Sequence, residues 1–149
     1  MQIGTMALAG SVLLLASVAP SANGAAPADA TGVIKGRESG MLLSAALMGS
    51  LKGAIDRGDE VKPLAFAARS IANWAAAIPG MFPAGSEGGE ALPTVWSDRA
   101  GFEAQAAGYK AAADRLVAAA GAGDKAAFAA AFGEVRASCA SCHATYKAP

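Results

Sequence analysis

The chain has 149 residues, with twelve basic and twelve acidic side chains and no formal net charge. That balance lacks the basic excess of a nucleic-acid binder, and no long like-charge run marks an interaction tail. The hydrophobic content of 54% is carried mostly by alanine, a strong helix former, so it points to helices rather than to a membrane protein.

The chain opens on an apolar run. Met6 to Ala19 (MALAGSVLLLASVA) spans fourteen residues, and mostly small residues follow through Ala30. The run is short for a membrane span and suits the apolar core of an export signal over residues 1–30, cleaved between about residues 24 and 30. No Lys or Arg precedes Lys35, so the basic leader of such signals is missing. Either the start lies upstream of Met1 or the signal is atypical; an uncleaved anchor is the weaker alternative. About 120 residues then remain, residues 31–149, enough for one domain with one core.

The remainder reads as helix throughout. From Thr31 to Ile55 the stripe Ile34, Arg37, Met41, Ser44, Met48, Leu51 and Ile55, flanked by Leu47, predicts a first helix. Asp56-Arg57-Gly58-Asp59 reads as a turn. A second, shorter helix carries Leu64, Ala68, Ile71, Ala75 and Ile78, beginning near Pro63 and stopping before Pro79. Residues 79–93 (PGMFPAGSEGGEALP) hold three prolines and four glycines, which predicts a loop across one end of the fold. Met81 and Phe82 are the side chains expected to pin it to the core. We expect a simple connection there rather than a functional lid.

A third helix shows Phe102, Ala106, Tyr109, Ala113, Leu116 and Ala120. A fourth shows Phe128, Phe132, Val135, Cys139, Cys142 and Tyr146. Only Gly121-Ala122-Gly123-Asp124 separates them, with Asp124 a candidate N-cap, so the two helices should run antiparallel. Four amphipathic helices of this kind predict an all-α, up-down-up-down four-helix bundle.

Both cysteines and the single histidine sit in Cys139-Ala140-Ser141-Cys142-His143. C-x-x-C-H is the attachment signature of c-type haem: the two thiols add to the porphyrin vinyl groups and the adjacent imidazole binds iron. On a helix, positions 139, 142 and 143 share a face, so one segment can supply both thioethers and the proximal ligand. The competing readings fare worse. A thiol–disulfide exchange site belongs near a βαβ pattern, and none is seen. Structural zinc wants four ligands. A plain disulfide leaves the histidine without a role.

The whole pattern resembles the class II c-type cytochromes, the cytochrome c prime family with its methionine-ligated low-spin relatives. The resemblance rests on the haem motif near the C-terminus, continued as Ala144-Thr145-Tyr146-Lys147, on Met81-Phe82-Pro83, on the run from Pro93 to Phe102, and on Val33 to Arg37. It implies one covalent haem c, held by Cys139 and Cys142, with His143 as proximal iron ligand. It also implies that Arg37 reaches a haem propionate; the competing reading is an arginine snorkelling to solvent. Lys147 matches a basic position beside the proximal face, or is an ordinary exposed lysine. Met41, one turn beyond Arg37, falls at the distal position. There it either binds iron, as in low-spin members, or leaves the sixth site open. Met48, Trp74 and Trp96 read as core.

The resulting expectation is a periplasmic, non-enzymatic haem protein that carries single electrons to and from redox partner proteins. The alternative is a five-coordinate binder of nitric oxide or carbon monoxide. No acid–base pair or nucleophile constellation accompanies the haem motif. Neither nucleic acid nor, in the mature form, a membrane is an expected partner. The resemblance implies a homodimer through the first two helices, which the off-stripe Leu42, Leu43 and Leu47 leave open.

Overall fold

The structure, a computed structural model, describes residues 30–149; the expected export signal lies outside them. Four long helices form the bundle: α1 (Ala30–Arg57), α2 (Ala65–Ala77), α4 (Arg99–Ala122) and α5 (Lys125–Tyr146). A one-turn helix, α3 (Thr94–Ser97), precedes α4. The up-down-up-down, all-α architecture is as the periodicity predicts.

The buried stripes follow the sequence closely. On α4, Phe102, Ala106, Tyr109, Ala113, Leu116 and Ala120 are all buried. On α5, Phe128, Phe132, Val135 and Tyr146 are buried, while Cys139 and Cys142 between them are only half-buried. Ala68, Ile71, Ala75 and Ile78 bury the inner face of α2. Helix α1 is the exception. Only Arg37, Ser44, Leu51 and Ala54 are buried on it, and Met41, Leu47, Met48 and Ile55 are partly buried against the core. The core therefore sits mainly between α2, α4 and α5, and α1 covers it incompletely at the Cys139–His143 end.

Helix ends explain themselves locally. Gly123 closes α4 in the left-handed region (φ 78°), its N–H donating to Ala119 and Ala120 carbonyls. A side chain at that φ would be strained, and a Cβ would also strike the Lys62 side chain. Asp124 then caps α5, its Oδ1 accepting from the Ala127 N–H at 2.9 Å.

Two boundaries depart from expectation. Helix α2 is preceded by a 3-10 turn at Lys62–Leu64 and continued by another at Ile78–Met81, so Pro79 tightens the chain rather than ending it. The third helix does not start as one rod at Pro93. It breaks at Asp98 (φ −116°, ψ 55°), which caps α4 by accepting from the Gly101 N–H at 3.2 Å and also accepts from the Tyr146 hydroxyl at 2.9 Å.

Residues 79–93 have little secondary structure of their own, so their carbonyls need outside donors. Arg99 donates to the Pro79 and Phe82 carbonyls at 2.7 and 2.9 Å. The Trp96 indole N–H donates to Pro83 at 3.0 Å. At the far end, Leu92 N–H donates to the Tyr146 carbonyl and Ala148 N–H to Glu90, which fastens the loop to the end of α5. Met81 and Phe82 anchor it to the core as expected. The loop is more than a connection, because its residues also wall the cavity described below.

Replacing Asp124 by Ala should lower stability by about 1 kcal/mol through loss of the α5 cap. Thermal unfolding checks this, with Asp124→Asn expected to retain most of it.

Candidate functional site

Cys139, Cys142 and His143 project from the last two turns of α5 towards the region that α1 leaves uncovered. Two cavities lie there. The larger, about 460 Å³, is lined among others by Arg37, Met41, Phe82, Phe102, Cys142 and His143. The smaller, about 360 Å³, is lined by Met41, Ser44, Trp74, Tyr109, Arg136, Cys139 and His143, with Ala45, Met48 and Ala140. Met41 and His143 alone line both. Each cavity receives one cysteine. A disc joined through two thioethers and standing between Met41 and His143 would extend into both spaces.

The residues present fit haem on two further counts. The larger cavity is walled chiefly by apolar atoms, with Val95, Phe102, Phe82 and Leu42 among its residues. Both thiols are free. Burial pushes the Cys139 thiol up from its ordinary value, partly opposed by a backbone hydrogen bond, and pushes Cys142 up with help from Cys139. A thiol–disulfide exchange centre needs the opposite shift, since the thiolate is the reactive form. Among the described residues, no three His, Cys, Asp or Glu side chains converge as a metal cluster.

Helix α1 is shaped for close approach. A Cβ added at Gly36 would come within 3.4 Å of the Met81 methyl, and one at Gly40 would overlap the Trp74 ring. With glycine there, the indole of α2 lies directly against the α1 backbone, one residue before Met41.

Arg37 is 3% exposed, which removes the snorkelling alternative. Its Nη1 donates to the Ser86 carbonyl at 2.8 Å and to Ser86 Oγ at 3.1 Å, and its Nη2 to the Gly88 carbonyl at 2.7 Å. The guanidinium also stands over the Phe82 ring at 4.6 Å. Burial draws its pKa down, with Glu38 and Glu87 opposing, and a guanidinium stays cationic in proteins. Five N–H donors serve three hydrogen bonds, so two remain for a group in the cavity. Lys147 is half-buried, lines the larger cavity and pairs with Glu90 at 3.1 Å.

Sequence reasoning missed the Ser44–Tyr109 pair. The hydroxyls lie 3.1 Å apart, both buried, and bridge α1 and α4 beside Cys139. Burial raises the Tyr109 pKa, the Ser44 hydrogen bond lowers it and Cys139 adds to the rise, so the phenol stays protonated at neutral pH. The available signal was a serine and a tyrosine at positions of apolar stripes. Trp74 and Trp96 likewise do more than fill the core, the first facing the smaller cavity and the second holding the loop.

Comparison with known proteins gives a consistent result. A profile of the family described as Cytochrome C' matches residues 32–147. Cytochrome c-556 of Agrobacterium tumefaciens (strain B2A) is 37% identical over 120 residues, covering 78% of this chain and 97% of the relative. Cytochrome c' of Alcaligenes xylosoxydans xylosoxydans is 45% identical over 74 residues, 50% of this chain and 54% of the relative. The aligned stretch thus spans about half the length of the cytochrome c' relatives it matches in sequence. The fold covers more. The nitric oxide complex of a variant of cytochrome c prime from Alcaligenes xylosoxidans superposes with a TM-score of 0.77 at 31% identity, covering 82% of this chain and 98% of that one. A carbon-monoxide-bound variant of the same protein gives the same values.

Gly40→Ala should cost about 1–3 kcal/mol, because the added methyl must displace Trp74 from its seat. Thermal unfolding together with tryptophan fluorescence reads both the loss and the displaced ring.

Proposed function

Since the chain belongs to the cytochrome c' family, whose members carry covalently bound haem c, we propose that it is a periplasmic, non-enzymatic carrier of single electrons. In this reading Cys139 and Cys142 hold the thioethers, His143 is the proximal ligand and Met41 the distal one. One observation carries it: Met41 and His143 are the two residues common to both cavities, as ligands on opposite faces of one disc would be. Bound haem supplies a one-electron couple at iron.

The chain's own side chains do the rest. Met41 would hold the haem iron through its thioether, which would raise the potential of the bound group. Phe82, Val95 and Phe102 keep water from the ring. Arg37 holds residues 86–88 over the larger cavity and turns its two remaining N–H groups to a propionate; Lys147 adds positive charge nearby. Among the described residues no helix is long and apolar enough to cross a membrane. Leu42, Leu43 and Phe66, exposed at 72%, 67% and 74%, are the large apolar side chains on which we place a homodimer contact through α1 and α2.

A second reading is favoured by the solved relatives, whose complexes hold nitric oxide and carbon monoxide. If Met41 does not coordinate, the apolar walls around it admit small neutral ligands and disfavour ions by desolvation. The visible and near-infrared spectra of the ferric protein separate the two. We expect a low-spin spectrum with a sulfur-to-iron charge-transfer band that Met41→Ala abolishes. A high-spin spectrum indifferent to that substitution would hand the site to the gas-binding reading. Haem stain lost from the reduced, denatured chain would defeat both.

A further inference from the structure

Helix α1 is held in two different ways along its length. From Leu51 onwards it is anchored by burial, with Leu51 and Ala54 in the core. Before Leu51 no apolar side chain of α1 is buried; the buried residues there are Arg37 and Ser44. Buried polar side chains are few among the described residues, and apart from the tyrosines they are Arg37, Ser44 and Ser86. All three fasten this half of α1. Arg37 reaches Ser86 and Gly88 of the loop, and the Ser44 hydroxyl meets the Tyr109 hydroxyl of α4 at 3.1 Å.

Met41 stands between the two fastenings, four residues after Arg37 and three before Ser44, so each is about one helical turn away. Arg37 is tied to a loop with little regular structure. Tyr109 instead sits on the buried stripe of α4, which packs against α5, and it lines the same cavity as Met41 and Cys139. Apolar contact is non-directional and tolerates sliding, whereas a hydrogen bond between two hydroxyls holds a distance and an angle. Breaking this one strands a buried hydroxyl that has already given up its water. The bond thus fixes α1, close to Met41, onto the helix beside the cysteines.

We propose that Ser44 and Tyr109 are positioning residues for Met41: their mutual hydrogen bond sets how closely the thioether stands over the haem iron. This rests on the haem seating proposed above. It applies whether Met41 binds the iron or only crowds an open sixth site.

Carbon monoxide added to the ferrous, natively matured protein is the probe, because the gas has to pass Met41 under either reading. Tyr109→Phe keeps the ring and removes the bond, Ser44→Ala removes it from the other side, and the double variant removes both hydroxyls. We expect each to speed carbon monoxide association by roughly two- to tenfold, the factor to which the net strength of one hydrogen bond converts. Stability should follow a different order. Ser44→Ala orphans the Tyr109 hydroxyl and should unfold at the lowest temperature, while the double variant orphans nothing and should recover part of the loss yet keep the fast association. A merely structural role requires the rate to recover with stability, and that result would overturn the proposal. Asp124→Ala, which loses the α5 cap at a residue lining neither cavity, should leave the rate alone; an equal gain there would also overturn it. So would a wild-type rate in both Tyr109→Phe and the double variant, and these two decide if Ser44→Ala does not fold. Amide hydrogen exchange needs no iron: the amides around Met41 should lose protection in Tyr109→Phe, and unchanged protection would overturn the proposal. Absence of covalent haem from the wild-type chain strikes instead at the functional reading.

Discussion

On the proposed attachment, a flat, rigid ring fixed along one edge by two sulfurs three residues apart imposes the main constraint on this bundle. The helix that carries the sulfurs has to give up close packing where they stand. Helix α5 shows the change along a single stripe: Phe128, Phe132 and Val135 are buried, and the two cysteines that continue the line are not. The opposite wall changes too. Helix α1 places glycine at 36 and 40, methionine at 41 and 48, and serine at 44, where a tightly closed bundle would carry leucine or isoleucine. One half of the bundle is a packed core, and the other is a slot.

A slot has an open end, and its closure accounts for features that look unrelated. The chain between α2 and α3 is rich in proline and glycine, so it can follow the end of the bundle but cannot satisfy its own carbonyls. Arg37 and Arg99 do so from two sides, Trp96 from a third, and the pairing with the α5 terminus fixes the last residues. Arginine suits this task because its planar fork reaches two carbonyls at once and remains charged when desolvated. Phe82 is thereby held against Phe102 with ring centroids 5.0 Å apart, and Phe102 against Tyr146 at 5.4 Å. The aromatic wall of the larger cavity depends on hydrogen bonds to a loop with almost no regular structure.

What could be read in the sequence was whatever depends on local spacing. The four stripes, the Asp124 cap, the loop and the haem motif all follow from periodicity or from the chemistry of adjacent residues. The rest depends on partners far along the chain. Asp98 breaks the third helix although neither proline nor glycine sits there, because the side chain that caps α4 also accepts from Tyr146, 48 residues away. Arg37 meets acceptors 49 and 51 residues away, and Ser44 meets Tyr109 across 65. Nothing in the local pattern names such partners. The pattern does mark the positions, since a polar group on an apolar stripe has to be satisfied by something.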